Sequence, residues 1–216
     1  FETMKKFQFL PLFLLFFCTL SRAQVPAGLQ AILDHTLDSM RIKLGGKGLG
    51  AAVQLSSGAS WAGASGISAN KPAANVTTND AFLIGSVTKT ITSACILQLT
   101  DEGTLSLEDS LGKWLTDLSL IDPKGYINRK ITIRQLLRHQ SGIYDVLSHP
   151  DNQFELLSDI SKIWTPEALI ERFIKAPIFA PGATWSYSNT NYFLLGMIIQ
   201  KATGKPFYQE FRKRFF

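Results

Sequence analysis

The sequence is poor in the residues that build metal centres and disulfide frameworks: 216 residues hold two cysteines and three histidines. Cys18 falls in an apolar N-terminal run, which leaves Cys95 alone in the rest of the chain and excludes an intrachain disulfide there. Cys95 lies among Ala94, Ile96 and Leu97, where a small buried hydrophobe is expected. His35, His139 and His149 are isolated and lack ligand spacing, so neither a metal nor another cofactor is expected. His139, near the Gly142 turn, reads as a structural histidine at a helix end. An excess of one charge is also lacking. Past residue 23, 19 basic residues face 16 acidic ones, too mild and scattered a surplus for a nucleic-acid partner. The one dense basic cluster, FRKRFF at 211–216, reads as the polar face of a last amphipathic helix. No G-x-S-x-G elbow surrounds Ser86 or Ser141, and no apolar run after the N-terminal one is long enough to span a bilayer.

What is present begins with a leader. MKKFQFLPLFLLFFCTLSRAQ, from Met4, combines two lysines, an apolar run and small residues at Ser21 and Ala23. This predicts a signal peptide over 4–23, cleaved after Ala23, and a secreted or periplasmic protein. The run is short and broken by Pro11, which argues against a membrane anchor, and Phe16 and Phe17 before Cys18 argue against a lipid anchor.

Beyond the leader, VPAGLQAILDHTLDSMRIKL has apolar residues at helical spacing, with Leu29, Ile32, Leu37 and Met40 near one stripe. GLGAAVQLSSG and ASWAGASGIS read as a β-hairpin around Ser57-Gly58, and SANKPAANVTTND as loop. A helix is expected from Ser86 to Gly103, followed by short helices in TIRQLLRHQ and TPEALIERFIKA, a turn at Pro181-Gly182, and a helix over TNYFLLGMIIQKATG. No strand is evident after residue 70, no repeat or linker interrupts the chain, and 24–216 reads as one continuous body. Two strands are too few for a stable sheet. With the non-methionine start and an ending inside an apparent helix, this predicts the N-terminal part of a longer protein.

The helix from Ser86 poses a question, because its first turn carries Lys89 against the positive end of the helix dipole. Apolar residues ring the helix, so burial is expected, and burial with a nearby positive end favours the neutral amine, a competent base. Positions i and i+3 share a face, so Lys89 can reach the Ser86 hydroxyl, and the helix start offers free backbone N–H groups to an oxyanion. Ser86 then reads as a nucleophile and Lys89 as its activator. The bland alternative is a capping serine beside an exposed lysine. The S-x-x-K spacing also occurs at Ser68–Lys71 and Ser110–Lys113, but only the Ser86 copy opens a long helix, with Gly85 before it.

Tyr187-Ser188-Asn189 follows a turn and precedes a helix, where side chains can project into a cleft. A phenol near a lysine can carry a proton, and an amide can hold a substrate carbonyl or the lysine itself. Alternatively, Tyr187 is packed and Asn189, Thr190 or Asn191 caps the helix. A second copy of the pattern, Tyr126-Ile-Asn128, shows how little it specifies alone.

Together, FLIGSVTKTITSACILQLTDEGTLSLEDSL, LLRHQSGI and PGATWSYSNTNYFLLGMIIQKATGKPF resemble the serine β-lactamase and penicillin-binding protein superfamily, in its class C β-lactamase, D-alanyl-D-alanine carboxypeptidase and esterase branch. The resemblance runs from about Leu29 to the last residue, with Arg138 and Gln140 in place of expected threonines. It implies an α+β fold, an antiparallel sheet flanked by helices with an all-helical lobe, and a site between them. It also implies that Ser86 is acylated, Lys89 and Tyr187 shuttle its proton, Asn189 binds substrate and orients the lysine, and the Ser86 N–H forms half of an oxyanion hole. Substrates would be a β-lactam, a D-Ala-D-Ala peptidoglycan peptide or an ester. Tyr144 and Trp185 are candidates for the cleft or the core. The family's third motif, Lys or His, a small residue and Gly on a late strand, is absent from 1–216, so this stretch by itself is expected to be inactive. A non-hydrolytic penicillin sensor or a structural homologue of the same fold is the alternative function.

Overall fold

The computed structural model describes residues 24–70, 72–159 and 161–216, and the leader assigned to 4–23 lies outside them. The described chain divides into two compact units, residues up to 83 and residues 84–216.

The first unit packs helix α1 (Ala27–Lys43) on a three-stranded antiparallel sheet, β1 (Gly48–Gln54), β2 (Ser60–Asn70) and β3 (Ala73–Asn75), in the order β1-β2-β3. The β1–β2 hairpin pairs Gln54 with Ser60 and Gly48 with Gly66, around the expected Ser57-Gly58 turn. β3 corrects the reading of SANKPAANVTTND as loop: Asn75 pairs with Ile67 and Ala73 with Asn70. Three exposed residues carry no alternation, so only the backbone pairing defines this strand. The buried stripe of α1 also differs from expectation. Leu37 is buried with Leu29 and Leu33 beside it, spaced i, i+4, i+8, whereas Ile32 and Met40 face solvent. Trp61 of β2 closes this core and donates its indole N–H to Asp34 at 2.9 Å.

The second unit is built of helices joined by loops, with an isolated antiparallel bridge between Ser110 and Thr132. A single 3-10 turn, Gly85–Val87, leads into α2 (Thr88–Asp101), and α3 (Leu111–Trp114), α4 (Leu118–Ile121), α5 (Ile133–Leu137), α6 (Pro150–Ser158), α7 (Pro166–Phe173), α8 (Asn189–Thr203) and α9 (Phe207–Phe215) follow. Local sequence explains several starts. Thr132 and Gln135 form a reciprocal capping box on α5, Thr165 accepts from the Ala168 N–H ahead of α7, and His149 caps α6 through Nδ1. α8 is the central helix, with Leu194, Leu195, Ile198 and Ile199 fully buried against residues such as Cys95, Ile96 and Leu99 of α2. Burial of α2 is one-sided, contrary to the apolar ring read from sequence: Val87 and Leu97 are exposed, and Ser86 at its start is exposed too. Within FRKRFF, Arg212 and Lys213 are exposed as expected, but Arg214 turns inward to pair with Glu210 and with Glu102 at the end of α2.

Candidate active site

Four side chains chosen from sequence meet in the helical unit. Lys89 Nζ lies 3.1 Å from Ser86 Oγ, as i and i+3 neighbours should, and 2.7 Å from Asn189 Oδ1. Ser86 Oγ lies 2.9 Å from the Tyr187 hydroxyl. The two loci come together because the buried faces of α2 and α8 pack on each other, which sets the starts of both helices side by side.

Gly85 opens the turn that carries Ser86. Its φ of +52° is left-handed, a conformation that favours glycine and swings the chain into the turn carrying Ser86. The other two S-x-x-K serines are placed elsewhere. Ser68 lies in strand β2, Lys71 is outside the described residues, and Lys113 pairs with Asp109 at 2.7 Å.

No side chain at the start of α8 caps it: the N-cap Ser188 Oγ is buried without a hydrogen-bond partner, and Asn189, Thr190 and Asn191 are turned to other work. Asn189 donates its amide to the Asp145 carboxylate at 3.0 and 3.3 Å. A carboxylate only accepts and an ammonium only donates, so this contact fixes the amide with Oδ1 toward Lys89. Thr190 donates to the Tyr144 carbonyl at 2.8 Å and accepts from the Val146 N–H at 3.1 Å. Asn191 accepts from Ser141 at 2.7 Å. These bonds fasten residues 139–146 to the start of α8. Gly142, with φ +73° and the Phe179 carbonyl where a Cβ would stand, lets that loop pass. Asp145 was missed from sequence, although it stands two residues beyond LLRHQSGI; a single acid in a loop carries no local signal. Trp185 is 61% exposed, which removes the core alternative for it, while Tyr144 packs against the core.

The ammonium of Lys89 also sits 5.1 Å from the Tyr187 ring centroid and 5.6 Å from that of Tyr192. Burial opposes ionisation of the Tyr187 phenol, but Lys89 and Ser86 together outweigh it and hold its pKa below the ordinary tyrosine value. A cavity of about 250 Å³, lined by Gly85, Thr88, Lys89, Asn189, Tyr192 and Met197 among others, opens beside the lysine. A larger recess of about 830 Å³, bordered by Tyr126, Arg129 and Phe179, does not reach Ser86. The arrangement presents an exposed hydroxyl within hydrogen-bond reach of an amine and a phenol, both able to move its proton.

The family model Beta-lactamase matches residues 33–216. Penicillin-binding protein 4* of Bacillus subtilis is 33% identical over 133 residues, covering 60% of this chain and 27% of that protein. A D-stereospecific amidohydrolase from Streptomyces sp. superposes with a TM-score of 0.68 at 33% identity, over 86% of this chain and 53% of the other. D-amino acid amidase from Ochrobactrum anthropi SV3, complexed with L-phenylalanine amide, gives 0.71 at 29% identity, over 88% and 51%. The chain thus spans about a quarter of the length of the first relative and about half of the two structures. On the family match over most of its length, the chain belongs to the Beta-lactamase family, within the serine β-lactamase and penicillin-binding protein superfamily, and has the β-lactamase/transpeptidase-like α+β fold.

Proposed function

We propose that the protein is a serine hydrolase working through an acyl-enzyme, with Ser86 as nucleophile and Lys89 and Tyr187 as its proton-transfer groups. One observation carries this reading: Ser86 Oγ has the Lys89 amine at 3.1 Å and the Tyr187 hydroxyl at 2.9 Å. With the pair one proton short of ammonium plus phenol, Ser86 Oγ attacks a carbonyl carbon while its proton passes to that pair. The C–N or C–O bond of the substrate then breaks, the pair returns the proton to the leaving group, and water later cleaves the acyl-enzyme. Asn189, held by Asp145, orients Lys89 and is placed to meet a substrate carbonyl.

The substrate class follows from the chemistry and from the relatives: a β-lactam, a D-Ala-D-Ala peptidoglycan peptide or an ester, with D-amino acid amides added by the names of the similar amidases. The 250 Å³ recess beside Lys89 is largely apolar and suits an apolar substituent. The leader predicted over 4–23 would deliver the enzyme outside the cytoplasm, where peptidoglycan peptides occur.

Incubation of the full-length protein with a fluorescent penicillin tests the reading. The expected result is covalent label on the peptide containing Ser86, absent in Ser86→Ala, followed by release of the acyl group. Label that never leaves would favour the sensor, and a folded protein taking no label from penicillins, esters or D-amino acid amides would remove the proposal.

A further inference from the structure

His139 follows α5 and is, among the described residues, the one non-glycine with a left-handed backbone, at φ +55°. Strain of that kind persists where the surroundings demand it. The left-handed turn closes α5, with the His139 N–H donating to the Leu136 carbonyl and the Gln140 N–H to the Gln135 carbonyl at 3.1 and 2.9 Å, and it aims His139 at the residues on either side of Tyr187. The His139 carbonyl accepts the Ser186 N–H at 3.0 Å, and its Nδ1 accepts the Ser188 N–H at 3.1 Å. Between those two bonds, the imidazole stacks on the Tyr187 ring at 4.6 Å between centroids and 30° between planes. One residue therefore grips the tyrosine before, behind and across its face.

The network also sets the state of the imidazole. The Ile143 N–H donates to Ser141 Oγ, whose hydroxyl donates to Asn191 Oδ1, leaving the Asn191 amide nitrogen 3.3 Å from His139 Nδ1. That nitrogen and the Ser188 N–H can only donate, so Nδ1 carries its lone pair and the ring proton sits on Nε2. An imidazolium would set a third proton against two donors.

We propose that His139 is a positioning residue for the reaction: as a neutral acceptor it clamps the Tyr187 phenol against Ser86, and protonation opens the clamp. The proposal rests on the assignment of Ser86 and Tyr187 made above. The charged and titratable groups facing the ring are Lys89 of α2, Asp145 of the following loop, and Tyr187 and Tyr192 at α8. Burial and then Lys89 depress the imidazole pKa, and Asp145 only partly opposes them. The clamp therefore holds at neutral pH and opens in acid, below the ordinary histidine value of 6.5.

Three versions of the full chain test this: wild type, His139→Gly and His139→Asn. Glycine relieves the backbone and removes the clamp, whereas asparagine tolerates the left-handed backbone, restores an oxygen acceptor and does not titrate. Single-turnover acylation by a fluorescent penicillin should fall about 10-fold to 100-fold in His139→Gly with little change in half-saturation. It should recover in part in His139→Asn, which also loses the acid limb of the wild-type profile. Wild-type kinetics in His139→Gly, or the same acid limb in His139→Asn, overturns the proposal. Should the wild type take no label, the assignment of Ser86 fails, and two readouts still judge the clamp. Nitrogen-15 NMR should show an unprotonated His139 Nδ1 at neutral pH, and the Tyr187 phenol titration should move in His139→Gly. A protonated Nδ1 or an unmoved titration refutes it.

Discussion

The Tyr187 hydroxyl and Ser86 Oγ lie 2.9 Å apart although 101 positions separate them in the chain. Removing one oxygen tests what the pairing does. Tyr187→Phe keeps the ring stacked on His139 and deletes the proton carrier, so acylation is expected to slow by about 10²–10⁴-fold. Thermal stability should shift only by the equivalent of about 0.5 kcal/mol, because the phenol oxygen sits at an open site. Unchanged acylation kinetics would discard Tyr187 as a proton-transfer group.

Lys89 should govern the acidity of that phenol. Its ammonium favours the phenolate, so Lys89→Met is expected to raise the Tyr187 pKa toward the usual tyrosine value, read by ultraviolet difference titration. A pKa that stays low, or falls, contradicts the electrostatic account of this site.

Asp145 fixes the Asn189 amide at 3.0 and 3.3 Å without touching Lys89 or Ser86. Asp145→Ala frees that amide to turn, and acylation should drop by about tenfold, the order expected for losing one hydrogen bond that orients a site. Asp145→Asn retains an oxygen acceptor and should restore much of the rate. Equal rates in Asp145→Ala and wild type would leave the carboxylate without a positioning role.

Gly142→Ala should destabilise the helical unit by roughly 2 kcal/mol or more, because a Cβ there meets the Phe179 carbonyl on a left-handed backbone. Denaturant unfolding measures the loss, and a midpoint equal to wild type would mean that the loop relaxes freely.

Arg214 links α9 to α2 through Glu102 and pairs with the buried Glu210. Arg214→Met leaves Glu210 without its cation, at a cost of about 3–5 kcal/mol. It also removes a pH dependence. The Arg214 hydrogen bond holds the Glu102 pKa below its ordinary 4.5, so this contribution is complete above that value and lost as pH falls through the lower, folded one. Melting temperature should therefore fall less steeply with acid in Arg214→Met than in wild type, and parallel curves would contradict the linkage.

Local features were legible wherever a residue acts on its neighbours in the chain. Thr132 and Thr165 announce α5 and α7 because a hydroxyl caps the N–H groups two or three residues on. Ser57-Gly58 announces the hairpin because glycine supplies the positive φ that its turn uses. β3 was invisible because three exposed residues have no pattern of their own and exist as a strand only against β2. The stripe of α1 was misassigned because Ile32 and Leu33 are equally apolar, and only the sheet decides which of them is covered.

Composition limits, most of the helices, and the candidates Ser86, Lys89, Tyr187 and Asn189 could be read along the chain, since short-range spacing and residue chemistry are written in consecutive positions. That Asp145 orients Asn189 and that His139 embraces Tyr187 emerged only from the packed fold. Both contacts join loops to a helix start across more than 40 residues, a distance over which side-chain identity carries no directional information until the buried faces of α2, α5 and α8 have packed.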